Sequence, residues 1–446
     1  MVTASWSGTA GDKAMDAVGD EAVALTSALL RIDTTNTGDS GTVGERAAAE
    51  FVAEKLTDAG YDLDYVESGA RNRHNVIVRL AGADPERGAL LIHGHLDAVP
   101  ADPAEWSVHP LSGAVENGYV WGRGAVDMKD MVAMALALAC HYKRNGVVPP
   151  RDLVFAFLAD EEAGGTYGAQ WLVDHRPDLF EGVTEAISEV GGFSIPVGGK
   201  RAYLIGTAEK GKRWLTLRAR GSAGHGAMIH PDNAVTLLSE AISRIGGHRF
   251  PTVMTETVRE FLDGIAAITG WQFPEDDLER AVGRLGSISR IISATLRDTA
   301  NPTVFNAGYK ANVIPSVAEA RVDCRILPGR QEAFTAELEA LLGPDIEMEW
   351  HEQDPLVTTF DGALVDAMKA ALQAEDQDAH VLPYMLFGGT DAKRFDQLGI
   401  RSFGFSPLRL PADLDFSGLF HGIDERVPVD ALKFGVRVLD RFLRSC

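Results

Sequence analysis

The sequence predicts an α/β protein in which a mostly parallel sheet is sandwiched by helices, with a smaller α+β domain inserted into the chain. Three observations support this prediction. The chain has 446 residues, more than a single core usually accommodates. Short apolar runs alternate with longer helical stretches in its first half, as in parallel sheets that are covered on both faces. From about residue 212 the pattern changes to strand, helix, strand and strand.

Helical and strand patterns alternate along the first half of the chain. Residues 14–32 have helical periodicity and end in turn residues. Residues 44–59 form a second predicted helix that stops at Gly60, a typical C-terminal cap. A further helical stretch covers residues 130–143. Four short apolar runs are predicted strands, at residues 74–80, 89–95, 153–158 and 186–190.

The second half contains the predicted insertion. Its elements are a strand at residues 214–221, a helix at 233–245, and strands at 303–312 and 317–327. After Pro328-Gly329 the chain returns to helix-then-strand alternation. The simplest account is a discontinuous main domain of residues 1–211 and 328–446 and an inserted domain of residues 212–327. Within the inserted domain we expect an amphipathic, mostly helical insert at about residues 249–301.

Composition excludes several classes of protein. The hydrophobic content of 45% and charged content of 24% are those of an ordinary soluble globular protein. A net charge of -22 argues against a nucleic-acid partner, because basic groups must replace the counterions of phosphates. No apolar run is long enough to span a membrane, and the N-terminal 20 residues lack a secretory signal. Because Cys140, Cys324 and Cys446 are widely spaced and form no disulfide or zinc pattern, we expect a cytoplasmic protein.

Five separated fragments carry acidic and imidazole side chains. They are LIHGHLDAVP, GRGAVDMKD, LADEEAGG, ISEVGG and LFHGIDE. Most of these side chains follow an apolar run, and open α/β sheets bind ligands at the carboxyl ends of their strands. Two imidazoles, two terminal carboxylates and a bridging carboxylate suit a pair of divalent ions, and a leftover Glu can act as a general base. The candidate residues are His95, Asp97, Asp127, Glu161, Glu162, Glu189 and His421.

Each fragment also has an ordinary structural explanation when it is taken alone. His95 and Asp97 share one face of a strand, so they could form a purely structural hydrogen bond. Asp127 opens a helix, where an Asp commonly serves as a cap. Acidic pairs form solvated turns, and Glu185 is an alternative to Glu189. Five fragments in one order and at strand ends nevertheless favour a shared metal site.

From about residue 14 to the C-terminus, the chain resembles the dinuclear zinc amidohydrolases and exopeptidases. This family includes aminoacylase, acetylornithine deacetylase, succinyl-diaminopimelate desuccinylase, carboxypeptidase G and carboxypeptidase S. The fragments occur in the family's order, and the helical insert is similar to that of the longer, carboxypeptidase-S-like branch. The resemblance implies a cis peptide bond after Asp127. The implied ligands are His95 and Glu189 for one zinc ion, Glu162 and His421 for the other, and Asp127 as the bridge.

The resemblance implies further roles. Asp97 would orient His95, and Glu161 would be the general base. His225, in Gly224-His225-Gly226, matches a residue that stabilises the tetrahedral oxyanion from a neighbouring subunit in dimeric members; whether it acts in trans or in cis stays open. Asp424 departs from the family pattern, which often has Asn there. The implied substrate-binding residues are Asn312 and Arg325 for the terminal carboxylate, and Gly388, Gly389 and Thr390 in the pocket wall.

The sequence and the resemblance together predict a metallopeptidase-type hydrolase. It would cleave the amide bond of N-acyl amino acids or of short peptides with a free carboxylate, using two Zn²⁺ ions or alternatively Co²⁺ or Mn²⁺. The inserted domain would be a lid that also forms a homodimer. The alternatives are a dipeptidase or carboxypeptidase and, from another class, a non-catalytic carboxylate-binding protein that would be expected to have lost Glu161 or a ligand. Neither a nucleic acid nor a membrane is expected as a partner.

Overall fold

The computed structural model of the protein describes residues 10–39 and 42–446. Residues 1–9, part of the stretch in which the sequence predicts no secretory signal, lie outside these ranges. Among the helices of the described ranges, none has both the length and the apolar character needed to cross a membrane. The helices are α1 (Ala10–Leu30), α2 (Arg46–Ala59), α3 (Lys129–Asn145), α4 (Ala169–His175), α5 (Ala234–Gly247), α6 (Glu256–Thr269), α7 (Leu278–Val282), α8 (Ser289–Ala294), α9 (Gln331–Leu342), α10 (Ala363–Glu375), α11 (Ala392–Phe395) and α12 (Val429–Leu443).

Within the described ranges the strands form four sheets, of which two are large enough to organise the molecule. The strands are β1 (Asp64–Glu67), β2 (His74–Leu80), β3 (Ala89–His95), β4 (Ala114–Glu116), β5 (Tyr119–Trp121), β6 (Leu153–Leu158), β7 (Val183–Ser188), β8 (Ser194–Val197), β9 (Lys200–Glu209), β10 (Gly211–Arg220), β11 (Gly224–His225), β12 (Thr299–Ala307), β13 (Val313–Ile314), β14 (Val317–Ile326), β15 (Ile346–Gln353), β16 (Leu356–Val357), β17 (His380–Leu386), β18 (Arg401–Gly404) and β19 (Arg426–Pro428).

The main sheet has the order β1-β2-β6-β3-β7-β18-β9-β16, and β17 and β8 also pair with β9. Its centre, β6-β3-β7-β18, is parallel, and β2 is added antiparallel at one side. Both faces are covered by helices. Phe155 and Phe157 of β6 point into the core shared with α1 and α3, whereas Val154 and Ala156 point into a second core with α4. The predicted α/β class is thereby confirmed, and the fully apolar strands follow from burial on both faces.

A smaller antiparallel sheet has the order β12-β14-β10-β15. Helices α5 and α9 cover one of its faces and form a separate apolar core with it. This core extends beyond the predicted domain boundary at residue 327, because Phe334 and Leu338 of α9 and Ile346 of β15 belong to it. The small unit continues to Gln353 because its sheet needs β15 as the outer neighbour of β10.

The sequence predicts the helical insert, α6 to α8, as part of the inserted domain. Both of its ends join the small unit, but its apolar face packs against the main core through Phe261, Leu262 and Ile265. Helix α6 lies on β17 so closely that a Cβ at Gly264 would stand 2.3 Å from Leu382 Cδ2. An amphipathic helix buries its apolar face on the largest apolar surface within reach, and here that surface is the main sheet.

Candidate metal centre

Two groups of three potential metal ligands share one carboxylate at the carboxyl edge of the main sheet. His95 Nε2 lies 3.1 Å from Asp127 Oδ1 and 3.5 Å from Glu189 Oε1. His421 Nε2 lies 3.3 Å from Asp127 Oδ2 and 3.1 Å from Glu162 Oε2. Within each group the ligand atoms lie within 4.8 Å of one another. The two oxygens of Asp127 thus face different imidazoles, which is the arrangement that a carboxylate bridging two cations needs.

Neighbouring parallel strands bring these residues together. His95 ends β3, Glu162 follows β6, and Glu189 follows β7, and these three strands are adjacent in the sheet. Parallel strands end at the same edge, so residues far apart in the sequence converge there. Glu185, the alternative to Glu189, lies within β7 and pairs with Arg151 at 2.6 Å, away from the cluster.

The loop that carries Asp127 is held by Glu425, a buried residue that sequence reasoning missed. The Glu425 carboxylate accepts hydrogen bonds from the backbone N–H groups of Val126 at 2.8 Å and Asp127 at 3.2 Å. It also accepts one from Arg123 Nη1 at 2.7 Å. The peptide bond between Asp127 and Met128 is cis, as the resemblance implies. Glu425 follows His421 by four residues, so one segment supplies both an imidazole and the anchor of the shared carboxylate.

Asp97 contacts both sides of the cluster. One of its carboxylate oxygens lies 3.3 Å from His95 Nδ1, the nitrogen that faces away from Asp127. The same carboxylate accepts hydrogen bonds from the backbone N–H groups of Glu161 at 3.2 Å and Glu162 at 3.1 Å. A carboxylate behind the imidazole fixes its orientation and tautomer, so Asp97 can position both His95 and the turn of the two glutamates.

A buried polar network continues behind Asp97. Asn36 donates from Nδ2 to Asp97 at 2.8 Å and to Asp160 at 3.1 Å. Arg73 pairs with Asp160 at 2.9 Å and with Glu45, and all of these side chains are buried. No sequence motif indicates this network, because its members come from four unconnected segments and only the tertiary structure brings them together.

Protein groups alone do not fully compensate the buried carboxylates of the cluster. Burial, reinforced by the neighbouring Asp127 carboxylate, raises the pKa of Glu162 to about 7 and that of Glu189 to about 8. Burial likewise raises the pKa of Glu161 well above its usual value. Among the described residues, Glu162 Oε1 and Glu189 Oε2 are buried without a hydrogen-bond partner. A buried carboxylate oxygen without a partner is costly unless a cation compensates it, so the donor set fits a pair of divalent ions.

A cleft of about 470 Å³ opens in front of the cluster, between the main sheet and the small sheet. Glu161, Glu162 and His421 line one side. Residues of the small sheet line the opposite side, including Arg325, which donates from Nε to Asp323 at 2.7 Å. Three of the predicted pocket residues, Gly388, Gly389 and Thr390, also line the cleft. Lys212 and Trp214 of β10 line it too, and the sequence analysis did not single them out.

His225 and Asn312 lie elsewhere. His225 ends β11 and Asn312 immediately precedes β13, the strand with which β11 forms a short ribbon; Gly226 N–H donates to the Asn312 carbonyl at 3.0 Å. Both side chains are exposed, and neither belongs to the residues that line the cleft in the described chain. A single chain therefore does not bring these two predicted residues to the metal cluster.

Known proteins are similar to this chain in sequence and in fold. The model of peptidase family M20/M25/M40 matches residues 91–445. The mouse N-fatty-acyl-amino acid synthase/hydrolase PM20D1 is 28% identical over 467 residues, covering 96% of this chain and 88% of the mouse protein. Aminoacylase-1 of Sus scrofa is 26% identical over 417 residues, covering 90% and 89%. The M20 family metallo-carboxypeptidase Sso-CP2 of Sulfolobus solfataricus has the same fold, with a TM-score of 0.71, 18% identity and coverage of 96% and 99%.

The family match spans most of the chain and includes every residue of the two ligand groups. The resemblance drawn from the five sequence fragments is confirmed by this match and by the shared fold. The chain is a metal-dependent hydrolase that belongs to peptidase family M20/M25/M40.

Proposed function

We propose that this enzyme hydrolyses the amide bond of N-acyl amino acids, or of short peptides that carry a free carboxylate. The position of Asp127, with one oxygen toward His95 and the other toward His421, is the observation that supports the proposal most strongly. Two relatives named for acyl-amino-acid chemistry, the mouse synthase/hydrolase and the porcine aminoacylase-1, support the choice of substrate class. The cationic side chains in the cleft are consistent with a substrate that carries a carboxylate.

His95 and Glu189 would hold one cation, Glu162 and His421 the other, and Asp127 would bridge them. Zinc is the proposed metal because mixed imidazole and carboxylate sets of this size suit Zn²⁺, whereas Mg²⁺ and Ca²⁺ prefer oxygen ligands alone. When bound, such a pair of ions lowers the pKa of a water and polarises a carbonyl group.

Glu161 is the proposed general base, at the side of the cleft next to Glu162. Its carboxylate has a raised pKa through burial, so it can take a proton from the attacking water and hold it. The same carboxyl group then returns that proton to the nitrogen of the leaving amine. Asp97 keeps the backbone of Glu161 in place through its hydrogen bond to the Glu161 N–H.

A hydrolysis screen with metal removal and restoration tests the proposal. Protein stripped with a chelator is expected to lose hydrolysis of N-acyl amino acids and to regain it when Zn²⁺, Co²⁺ or Mn²⁺ is added back, because the ligand groups need borderline cations. Mg²⁺ is the matched control and should restore little activity. Dipeptides form a second arm of the screen and identify a peptidase if they are cleaved preferentially. Undiminished turnover in protein shown by elemental analysis to be metal-free would contradict the proposal.

We further propose that the enzyme works as a homodimer, in which His225 of one chain reaches the cleft of its partner. His225 and Asn312 lie on an exposed ribbon outside the cleft of their own chain. The loops around this ribbon expose apolar side chains, with Ile229 97% and Tyr309 84% exposed. Strand β12 is an edge of the small sheet, and an unpaired edge is a ready surface for pairing with another chain.

Mixing two inactive variants tests whether His225 acts in trans. Each dimer of Glu161→Gln and His225→Ala chains contains one site with both residues intact, so random exchange should recover about a quarter of wild-type activity. The variants are exchanged by dilution and reconcentration, and activity is measured against the separate proteins. The control mixes Glu161→Gln with Asp127→Asn and should recover no activity. Glu161 and Asp127 both belong to the site of their own chain, so every chain in this mixture has a damaged site. Activity that is recovered only in the control mixture would contradict trans action. So would a lack of recovery in both mixtures when the proteins are shown to be dimers.

A further inference from the structure

A row of residues across the small sheet forms part of the cleft wall that faces the metal cluster. In the strand register Thr299 of β12 lies opposite Arg325 of β14, Arg325 opposite Lys212 of β10, and Lys212 opposite Gln353 of β15. Directly opposite residues point to the same face of a sheet, and all four line the cleft. The next position on β10 toward the same face is Trp214, which also lines the cleft.

Most of the cations in this cleft already have protein partners. Arg325 donates two hydrogen bonds to the Asp323 carboxylate, at 2.7 and 3.1 Å. Lys210 donates to the carbonyl groups of Ala294 and Arg297. Arg394, the other arginine of the lining, donates to backbone and amide oxygens at 2.8 Å. These side chains hold the walls of the cleft together, and the charge of Arg325 is balanced by its neighbour.

Lys212 differs from all of them. Among the described residues, no acceptor forms a hydrogen bond or ion pair with its ammonium group, which instead lies 4.2 Å from the centroid of the Trp214 ring. The ammonium reaches across the cleft, since a Cβ built on Gly164 would stand 3.4 Å from Lys212 Nζ. Gly164 follows Glu162 by only two residues. An unpaired ammonium is therefore held beside the loop that carries Glu162.

The position of Lys212 disfavours its charged form, and its pKa is lowered accordingly. Burial, together with the positive charges of Arg325 and Arg394, lowers the pKa of Lys212 to about 8. A half-buried cation that makes no ion pair gains more from an incoming anion than a solvated one does, because part of its desolvation is already complete.

We infer that Lys212 binds the free carboxylate of the substrate, with Trp214 supporting the lysine side chain, an inference that rests on the proposed function. Arg325, to which the resemblance assigns the same task, lies opposite Lys212 on the neighbouring strand and is paired with Asp323. An ammonium is a compact point charge with three donors, so it selects for charge at one position without imposing the planar, two-bond geometry of an arginine. The enzyme should therefore prefer an acyl amino acid with a free carboxylate to the corresponding carboxamide.

N-acetyl-L-leucine and N-acetyl-L-leucinamide test this assignment, because they share the scissile bond and differ only in the carboxylate. In the metal-loaded wild-type enzyme kcat/KM should favour the acid, and Lys212→Met should reduce that preference about tenfold or more, mainly through KM, as expected for loss of a charge-assisted hydrogen bond. Lys212→Arg should restore most of the preference. Lys369→Met is the matched control, since Lys369 also lies on an aromatic ring, 4.1 Å from the centroid of Phe360, but outside the cleft.

Calorimetric binding of the same two compounds to metal-loaded Glu161→Gln protein provides a readout that needs no turnover. The acid should bind more tightly than the amide, and Lys212→Met or the milder Lys212→Gln in that background should remove the difference. A preference for the acid that survives both substitutions, or that disappears only with Arg325→Met, overturns the assignment of Lys212. Failure of the wild-type enzyme to cleave any acyl amino acid overturns the proposed function instead, and the binding comparison still decides the role of Lys212.

Discussion

Replacing Glu161 by Gln is expected to lower kcat roughly 100- to 10,000-fold, the range typical for loss of a general acid–base group. Gln has the same shape but cannot accept a proton and hold it through the reaction. The hydrogen bond that fixes the turn is made by the backbone N–H of Glu161 to Asp97, so the substitution leaves that contact intact. KM should change little, because the substrate is held by other residues.

The Glu161→Gln variant should lose turnover while keeping its metal ions and its fold. Metal content by elemental analysis and the midpoint of thermal unfolding should match those of the wild-type protein. Glu116→Gln is the control, since Glu116 is an exposed residue of β4 outside the cleft. A metal-replete Glu161→Gln enzyme with near-wild-type kcat would remove Glu161 from the proposed role.

Replacing Arg73 by Met is expected to lower the free energy of unfolding by about 3–5 kcal/mol, the cost of breaking a buried ion pair from one side. Arg73 is the cation between two buried carboxylates, Glu45 and Asp160, and its loss leaves both without a counter-charge. Met approximates the volume of the arginine stem, so packing changes contribute less than the charge does. Chemical denaturation of chelator-stripped protein measures the effect without a contribution from bound metal.

Two comparisons establish the cause. Arg46→Met removes an arginine from a solvent-exposed pair with Glu50 and should leave stability almost unchanged. Adding Glu45→Gln to Arg73→Met should recover part of the loss, because it removes one of the two uncompensated charges. A loss in Arg73→Met no larger than that in Arg46→Met would show that the network behind Asp97 contributes little to stability.

The strands that build the site could be predicted closely from the sequence. The strands at residues 89–95 and 153–158 have the same bounds in the structure, because a strand buried on both faces is a continuous apolar run with polar residues at its ends. The convergence of His95, Glu162 and Glu189 also followed, since parallel strands end at one edge. These features depend on local pattern and on one general rule of sheet topology.

Other features depend on contacts that the sequence does not encode locally. The apolar face of α6 predicted that the helix would be buried, but not that it would pack on the main sheet. The sequence places the domain boundary near residue 328, whereas the core of the small unit extends to Ile346. Helix-then-strand alternation looks the same in both units. In the sequence Lys212 is one basic residue at the start of a strand, with no motif around it. Its position in the cleft follows only from the register that sets it opposite Arg325.

The docking of the helical insert limits how the two halves of the molecule can move. The small sheet is joined to the main sheet by short connections at Lys210 and between β15 and β16, which alone would permit a swing. The insert adds a third attachment, with Gly264 seated against Leu382 and Arg290 paired with Asp415 at 2.6 Å, shortly before His421. Rotating the small sheet outward would drag α6 across β17 and pull on the segment that carries this imidazole. The width of the cleft is therefore set by tight packing at a distance from it.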